Sequence, residues 1–346
     1  MHRNCRVLVT GAGSGVGQGI IKALRVSNLP ITVIAADISK MNVGLYRADE
    51  AVIIPRVEVQ NALSIMVDLL QSNKINVVMI GSEFDLEFFS NNREEIKSRS
   101  GADIIVALPS TIAIANDKWL TAEFLRKNNL PYAESYLPEN IDDAITCAEK
   151  WGYPIVLKTR CGTSSNHVYI TKDSDSLRKH FPATPMPMLQ RMINTPSSDL
   201  ASEYTCSVFK TLDGIMLGPF TARRTIRGGT SWHIEVAPFE NLYSSLLAIA
   251  APLDFIGSLN IQLMLTEEGP IPFELNARFS GTTAVRAHFG FNEPAMALRD
   301  IFYSECLKPQ VIRSGIAMRY HEEVFIDNTS ATSLLPMNKG VVNLWF

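Results

Sequence analysis

No stretch of this sequence reaches the roughly 18 uninterrupted apolar residues that carry a helix across a bilayer. The two longest candidates, 104–115 and 246–257, are each broken by proline or aspartate. Met1–Arg6 passes straight into a strand-like run, so no signal peptide is expected. Cysteine is sparse: Cys5, Cys147, Cys161, Cys206 and Cys306 are scattered, odd in number and form no CxxC pair. That pattern argues for reduced thiols and a cytoplasmic location, against a disulfide frame or a zinc ribbon. The 6 histidines contain no HxxxH pair, which leaves a zinc-hydrolase site without support. Excess charge of either sign is also missing. Lys plus Arg is 32 and Asp plus Glu is 35, a net charge of −3, so no surface for nucleic acid or an anionic membrane is indicated. Internal repeats and low-complexity tracts are absent.

What is present is a core-forming composition. Hydrophobic residues make up 46% and charged residues 19% of 346, enough chain for two or three domains. Residues 1–115 alternate strand and helix. Strands are expected at 6–10, 31–36, 77–80 and 104–108, and helices at 16–27, 62–72 and 84–99. Near-continuous apolar strands between helices predict a parallel, Rossmann-like α/β sheet covered on both faces. Residues 109–115 read as a connection. Residues 116–185 then read as a small α+β unit: a helix from 116 or 117, a second at 141–151, and strands at 155–158 and 167–170 flanking the polar loop Cys161–Asn166. Residues 186–310 carry strands with hairpin spacing at 187–193, 203–209, 215–223, 232–237, 258–265 and 271–279. Helices are expected at about 241–253 and 292–305. The remaining 311–346 form a tail with one strand-like run at 314–326.

Two motifs carry chemistry. The first is Gly11-Ala12-Gly13-Ser14-Gly15-Val16-Gly17, between a strand and a helix. Glycines there permit a tight turn, and a helix N-terminus can hold an anion. Asp37 ends the next strand, where an acid can bind a ribose hydroxyl. An NAD(P)-dependent oxidoreductase is therefore one reading. The spacing resembles that of short-chain dehydrogenases, but no Tyr-x-x-x-Lys occurs to supply their acid. The other reading is that the glycines serve chain geometry alone.

The second motif is the polar hairpin 259–279. Period two puts Glu274, Asn276 and Arg278 on one face of a strand and Phe273, Leu275, Ala277 and Phe279 on the other. Asn260 and Gln262 share a face in the preceding strand. Symmetry about Glu268 would set Gln262 opposite Glu274. One carboxylate, amide oxygens and a guanidinium then converge, a hard-oxygen set suited to Mg²⁺ with phosphate. A solvent-facing polar sheet surface would look the same. Around this hairpin, Lys158 emerges from an apolar strand beside a small-residue loop that includes Thr163 and Ser164, an arrangement suited to terminal phosphates. Lys118 opens a helix, opposing the dipole and so favouring an anionic partner. Arg223, Arg224 and Arg227 lie near Gly228-Gly229. Trp232, His233 and His288 carry no local signature.

Together these pieces resemble the ATP-grasp superfamily, most nearly its carbamoyl-phosphate-synthase-like carboxylate–amine ligases. The most specific element is Asn260-Ile261-Gln262 followed by Glu274-Leu275-Asn276-Ala277-Arg278. The resemblance implies a Rossmann-like pre-ATP-grasp domain ahead of a two-lobed ATP-grasp domain. It implies that Gln262, Glu274 and Asn276 hold Mg²⁺ (or Mn²⁺), and that Arg278, Lys118 and Lys158 contact ATP phosphates. Thr163 and Ser164 would lie in the phosphate loop. Gln190, Arg191, Met192 and Ile193 would form the hinge that reads adenine, Glu203 would bind the ribose, and Arg223 would sit near phosphoryl transfer. Two departures stand out: the phosphate loop keeps only Gly162, and Gln262 stands where many relatives carry Glu. The implied activity is an ADP-producing ligase joining a small-molecule carboxylate to an amine through an acyl phosphate. A non-catalytic nucleotide-binding protein of the same shape is the alternative outside oxidoreductases. Substrate identity stays open at this stage, as does oligomeric state, a homodimer included.

Overall fold

The computed structural model of the chain describes residues 3–162, 167–195 and 203–325. The N-terminal layer consists of β1 (Cys5–Val9), α1 (Gly15–Arg25), β2 (Ile31–Asp37), β3 (Glu50–Ile53), α2 (Ala62–Ser72), β4 (Val77–Met79), α3 (Glu83–Asn91), α4 (Arg93–Ser100) and β5 (Asp103–Ile105). Its five strands run parallel in the order β3-β2-β1-β4-β5. β3 is too short and polar at its start to register as a strand in sequence. The single helix expected over 84–99 is two helices. It breaks at Asn92, whose side-chain amide bonds Phe88 O (2.8 Å) and competes with the helical ladder.

The segment read as a connection is helix α5 (Pro109–Asn116). Proline at the first helical position loses no hydrogen bond, because that N–H has no partner in any helix. α6 (Lys118–Lys127) follows, capped by Asp117 through Trp119 N (2.8 Å) and Leu120 N (3.3 Å). Then come β6 (Ser135–Tyr136), α7 (Ile141–Trp151), β7 (Ile155–Thr159), β8 (Val168–Thr171), α8 (Ser174–His180) and β9 (Pro187–Arg191). These strands form a four-stranded sheet in the order β6-β9-β7-β8. β9, which the sequence pattern groups with later strands, pairs antiparallel with β7, so this sheet extends to Arg191. The lobe has its own small core of Ala144, Ile145, Ala148, Ile155, Leu157, Leu177 and Leu189.

The third unit contains β10 (Glu203–Lys210), β11 (Met216–Phe220), β12 (Ala222–Arg227), β13 (Thr230–Val236), α9 (Tyr243–Ala250), β14 (Gly257–Thr266), β15 (Gly269–Asn276), α10 (Thr283–His288), α11 (Glu293–Ala297) and β16 (Gly315–Met318). Its sheet runs β15-β14-β10-β12-β13-β16, with β11 attached to β10. The helix expected over 292–305 is α11 continued by a π turn at Leu298–Phe302.

The two faces of this sheet build two continuous cores with the N-terminal layer. Tyr204, Val208, Ile261 and Leu275 join Leu8, Ile34 and Met66 in one. Phe209, Phe220, Ile234 and Phe279 join Val7, Ile20 and Met79 in the other. Each fully buried side chain of this size stabilises by roughly 1.5–3 kcal/mol. The first and third units therefore hold each other; the middle lobe has its own core around α7 and β7, while Phe124 and Leu125 of α6 join the first of the shared cores. No helix among the described residues is long and apolar enough to cross a membrane.

Candidate active site

The β14–β15 hairpin sets Gln262 opposite Glu274 and Asn260 opposite Asn276. The turn closes between Thr266 and Gly269, so its centre falls between Glu267 and Glu268 rather than on Glu268. A bulge beside Gln262, where Leu263 faces Pro272, restores the expected pairing. The same bulge turns Pro272 to the buried side and leaves Phe273 half-buried, against strict alternation.

Glu274 lies at the centre. Its Oε1 accepts from Gln262 Nε2 (3.1 Å) and Asn276 Nδ2 (3.0 Å). Gln262 Oε1 accepts from Arg224 Nη2 (2.8 Å), and Asn276 Oδ1 accepts from Arg278 Nη2 (2.9 Å). Arg278 also pairs with Glu83 at the start of α3, which ties the N-terminal layer to the site. Under these residues lies a buried polar network. Arg286 and Glu293, both fully buried, form an ion pair (3.1 Å), and Arg286 donates to Asn260 Oδ1 while Ser258 donates to Glu293 (2.6 Å). Asn260 in turn stands across from Asn276, so this network fixes the floor of the site.

The donor set fits one divalent ion. Each engaged amide oxygen keeps a second lone pair, and the second Glu274 oxygen has no hydrogen-bond partner among the described residues. Among the described residues no three His, Cys, Asp or Glu side chains gather as a metal cluster. An ion here would rest on one carboxylate, the amides and oxygens it brings with it, as Mg²⁺ with phosphates does.

Arg224, not Arg223, belongs to this cluster. Glu203, the first residue of β10, is ion-paired to Arg224 (2.7 Å). Arg223 lies opposite Tyr204, whose ring packs in the core on the other face of the sheet. It pairs there with Glu235 (2.5 Å). The expectation for Arg223 is thus corrected by one residue, because the pairing of β12 with β10 decides which of two adjacent arginines faces the cleft.

Lys158 is 4% exposed and donates to Gln190 Oε1 (2.9 Å). Gln190 is held from behind by Ser135 (3.1 Å), so its side chain fixes the position of the Lys158 amine. Burial, reinforced by nearby Lys118 and opposed by Glu274, pushes the Lys158 ammonium down from 10.5 to about 7. Lys118 Nζ donates to Gly162 O (2.9 Å), and the Arg160–Asp117 ion pair (2.5 Å) clamps its helix to the end of β7. Arg191 is exposed and pairs with Glu134 (3.2 Å), while Met192 and Ile193 follow β9 half-buried. Thr163 and Ser164 lie outside the described residues.

The glycine-rich turn is filled by the protein itself. Asp37 accepts from Gly13 N (2.7 Å), Ile38 N (2.7 Å) and the Asn42 side chain. A Cβ on Gly17 would stand 2.2 Å from Gly11 O. Close chain packing accounts for Gly11, Gly13 and Gly17 but not for Gly15, where a Cβ would meet nothing within 4 Å, and the Asp37 carboxylate is already used.

Comparison with known proteins follows the same division. Residues 7–105 match the family described as PylC-like, N-terminal domain, and residues 115–282 match the ATP-grasp domain. The carbamoyl phosphate synthase arginine-specific large chain, mitochondrial, of Schizosaccharomyces pombe is 27% identical over 173 residues, covering 44% of this chain and 14% of that protein. The propionyl-CoA carboxylase alpha chain, mitochondrial, of Mus musculus is 23% identical over 184 residues, covering 51% and 25%. This chain thus spans a quarter or less of those relatives' lengths. Among solved structures, the biotin carboxylase domain of Hydrogenobacter thermophilus 2-oxoglutarate carboxylase, in complex with MgADP, ADP and bicarbonate, superposes with a TM-score of 0.71 at 18% identity, over 90% of this chain and 73% of that one. Staphylococcus aureus N5-carboxyaminoimidazole synthetase complexed with ADP gives 0.71 at 14% identity, over 91% and 82%.

Proposed function

We propose that this chain, whose residues 115–282 match the ATP-grasp domain, is an ATP- and Mg²⁺-dependent ligase that activates a small carboxylate as an acyl phosphate and joins it to an amine. The observation that carries this reading is Glu274, held by Gln262 and Asn276, the latter bonded in turn by Arg278, and close enough to Lys158 to act on its charge. The solved relatives bound to MgADP or ADP agree with the choice of nucleotide.

A carboxylate oxygen of the substrate attacks the γ-phosphorus of ATP, the bond to the β–γ bridging oxygen breaks, and ADP leaves. The amine nitrogen then attacks the acyl carbon, inorganic phosphate leaves with the bonding pair, and the nitrogen loses a proton. Mg²⁺ held by Glu274 and the two amide oxygens would supply charge neutralisation at the phosphates. Lys118 and Lys158 bind the phosphates and Arg278 offsets charge that develops on the transferred group. The middle lobe covers the nucleotide and keeps water from the acyl phosphate.

The test is ADP release over a panel of amino acids, hydroxy acids and ammonia, with product mass measured for the best pair. Wild type is expected to exceed Glu274→Ala by at least about a hundredfold. Equal rates across the whole panel would reject turnover. Thermal stabilisation by NAD(P)H and not by MgATP would reject the nucleotide assignment itself.

A further inference from the structure

The last strand of the large sheet brings another guanidinium to the cleft, from outside both family matches. β16 sets Ala317 opposite Ile234, and Ile234 stands opposite Arg224. Directly paired residues share a face, and alternation places Arg319 on that face, the one that carries Glu203 and Gln262. The Arg319 N–H continues the ladder to Trp232 O (3.0 Å). Its side chain donates to Gly281 O, only three residues beyond Arg278.

Among the described residues no carboxylate pairs with Arg319. Its Nε is buried without a partner. The nearest acid along the chain, Glu322, pairs with Arg47 (3.6 Å) instead. Arg224 adds like charge, and Lys22 on α1 feels the charge of Arg319 in turn. Arg278 also keeps a buried Nε without a partner. Arg319 is half-buried, and taking a cation without an ion-pair partner even partly out of water costs stability, so an arrangement of this kind fits a site completed by an anionic ligand. The nucleotide phosphates are already served by Lys118, Lys158 and Arg278. The guanidinium fork matches a carboxylate in two parallel hydrogen bonds.

We propose that Arg319 binds the carboxylate of the acceptor substrate, in the field of Arg224 and beside Arg278, where that carboxylate meets the terminal phosphate. This deepens the ligase reading and rests on it.

The test separates the two. MgADP is titrated calorimetrically into wild type, Arg319→Ala and Arg319→Lys, and each saturated protein is then titrated with acetate, bicarbonate and glycine. Arg319→Ala is expected to bind MgADP within about twofold of wild type while the tightest carboxylate probe weakens at least about tenfold, the loss of one charge-assisted contact. Arg319→Lys recovers part of that loss. Unchanged probe binding in Arg319→Ala overturns the subsite, and so does a wild type that binds MgADP but none of the three probes. A wild type that fails to bind MgADP overturns the ligase reading instead. Should Arg319→Ala fail to fold, phenylglyoxal labelling of wild type decides: the probe is expected to slow modification of Arg319, and an unprotected Arg319 overturns the proposal.

Discussion

A lysine that is only half charged at neutral pH makes nucleotide affinity depend on pH. Burial lowers Lys158 from 10.5 to about 7, and Lys118 adds to the shift. At pH 8 about nine in ten free molecules then carry a neutral amine, and at pH 6 about one in ten. Phosphate oxygens placed against the amine restore the proton, so binding at pH 8 takes up about 0.9 proton, and the dissociation constant of MgADP weakens about tenfold between pH 6 and 8, or about 1.4 kcal/mol. Calorimetry in two buffers of different ionisation heat reads the proton directly. Lys158→Gln, which removes the titrating group, gives the baseline set by the nucleotide. The stability of the free protein shifts with pH as well. The folded chain has released a proton that the unfolded chain keeps up to 10.5, so stability rises with pH from about 7 toward that value. A flat affinity profile with no proton uptake beyond the Lys158→Gln baseline would refute this account of the buried amine.

Other outcomes follow from single contacts. Arg286→Met strands a fully buried Glu293 and is expected to cost about 3–5 kcal/mol in urea unfolding, with Arg286→Met/Glu293→Leu recovering much of it; a loss under about 1 kcal/mol would show the pair to be dispensable. Gly17→Ala drives a methyl to 2.2 Å from Gly11 O, and a drop of about 1–3 kcal/mol is expected; an unchanged thermal midpoint would mean that this turn relaxes freely. Arg223→Ala, on the far face, is expected to leave MgADP affinity within about twofold while Arg224→Ala weakens it at least about fivefold. The reverse order would show that the strand parity assigned to β12 is wrong.

Much of the site was readable because it lies on regular strands. Gln262, Glu274 and Asn276 alternate with aliphatics, and alternation alone places them on one face. Their mutual register was harder. Symmetry about Glu268 yields the right partners, but the chain reaches them through a tighter turn and a compensating bulge that no local pattern announces. Arg224 was hidden by its neighbour: two consecutive arginines point to opposite faces, and only the pairing Tyr204↔Arg223 says which is which. Arg319 lies more than forty residues beyond Arg278 and reaches the cleft by a β16–β13 pairing at long range. Helix α5 was missed because its proline reads as a break, although at the first helical position it is a start.

The two cores shared between the N-terminal layer and the large sheet also limit how the protein can be cut. A fragment beginning near residue 115, at the border suggested by the two family matches, would lose Leu8, Ile34, Met66, Ile104 and Ile112, which share one continuous core with Tyr204, Val208, Ile261 and Leu275. Such a piece would aggregate rather than stand as a module. Shuffling of this half onto a foreign partner would succeed only if the new neighbour supplied an apolar surface of the same outline.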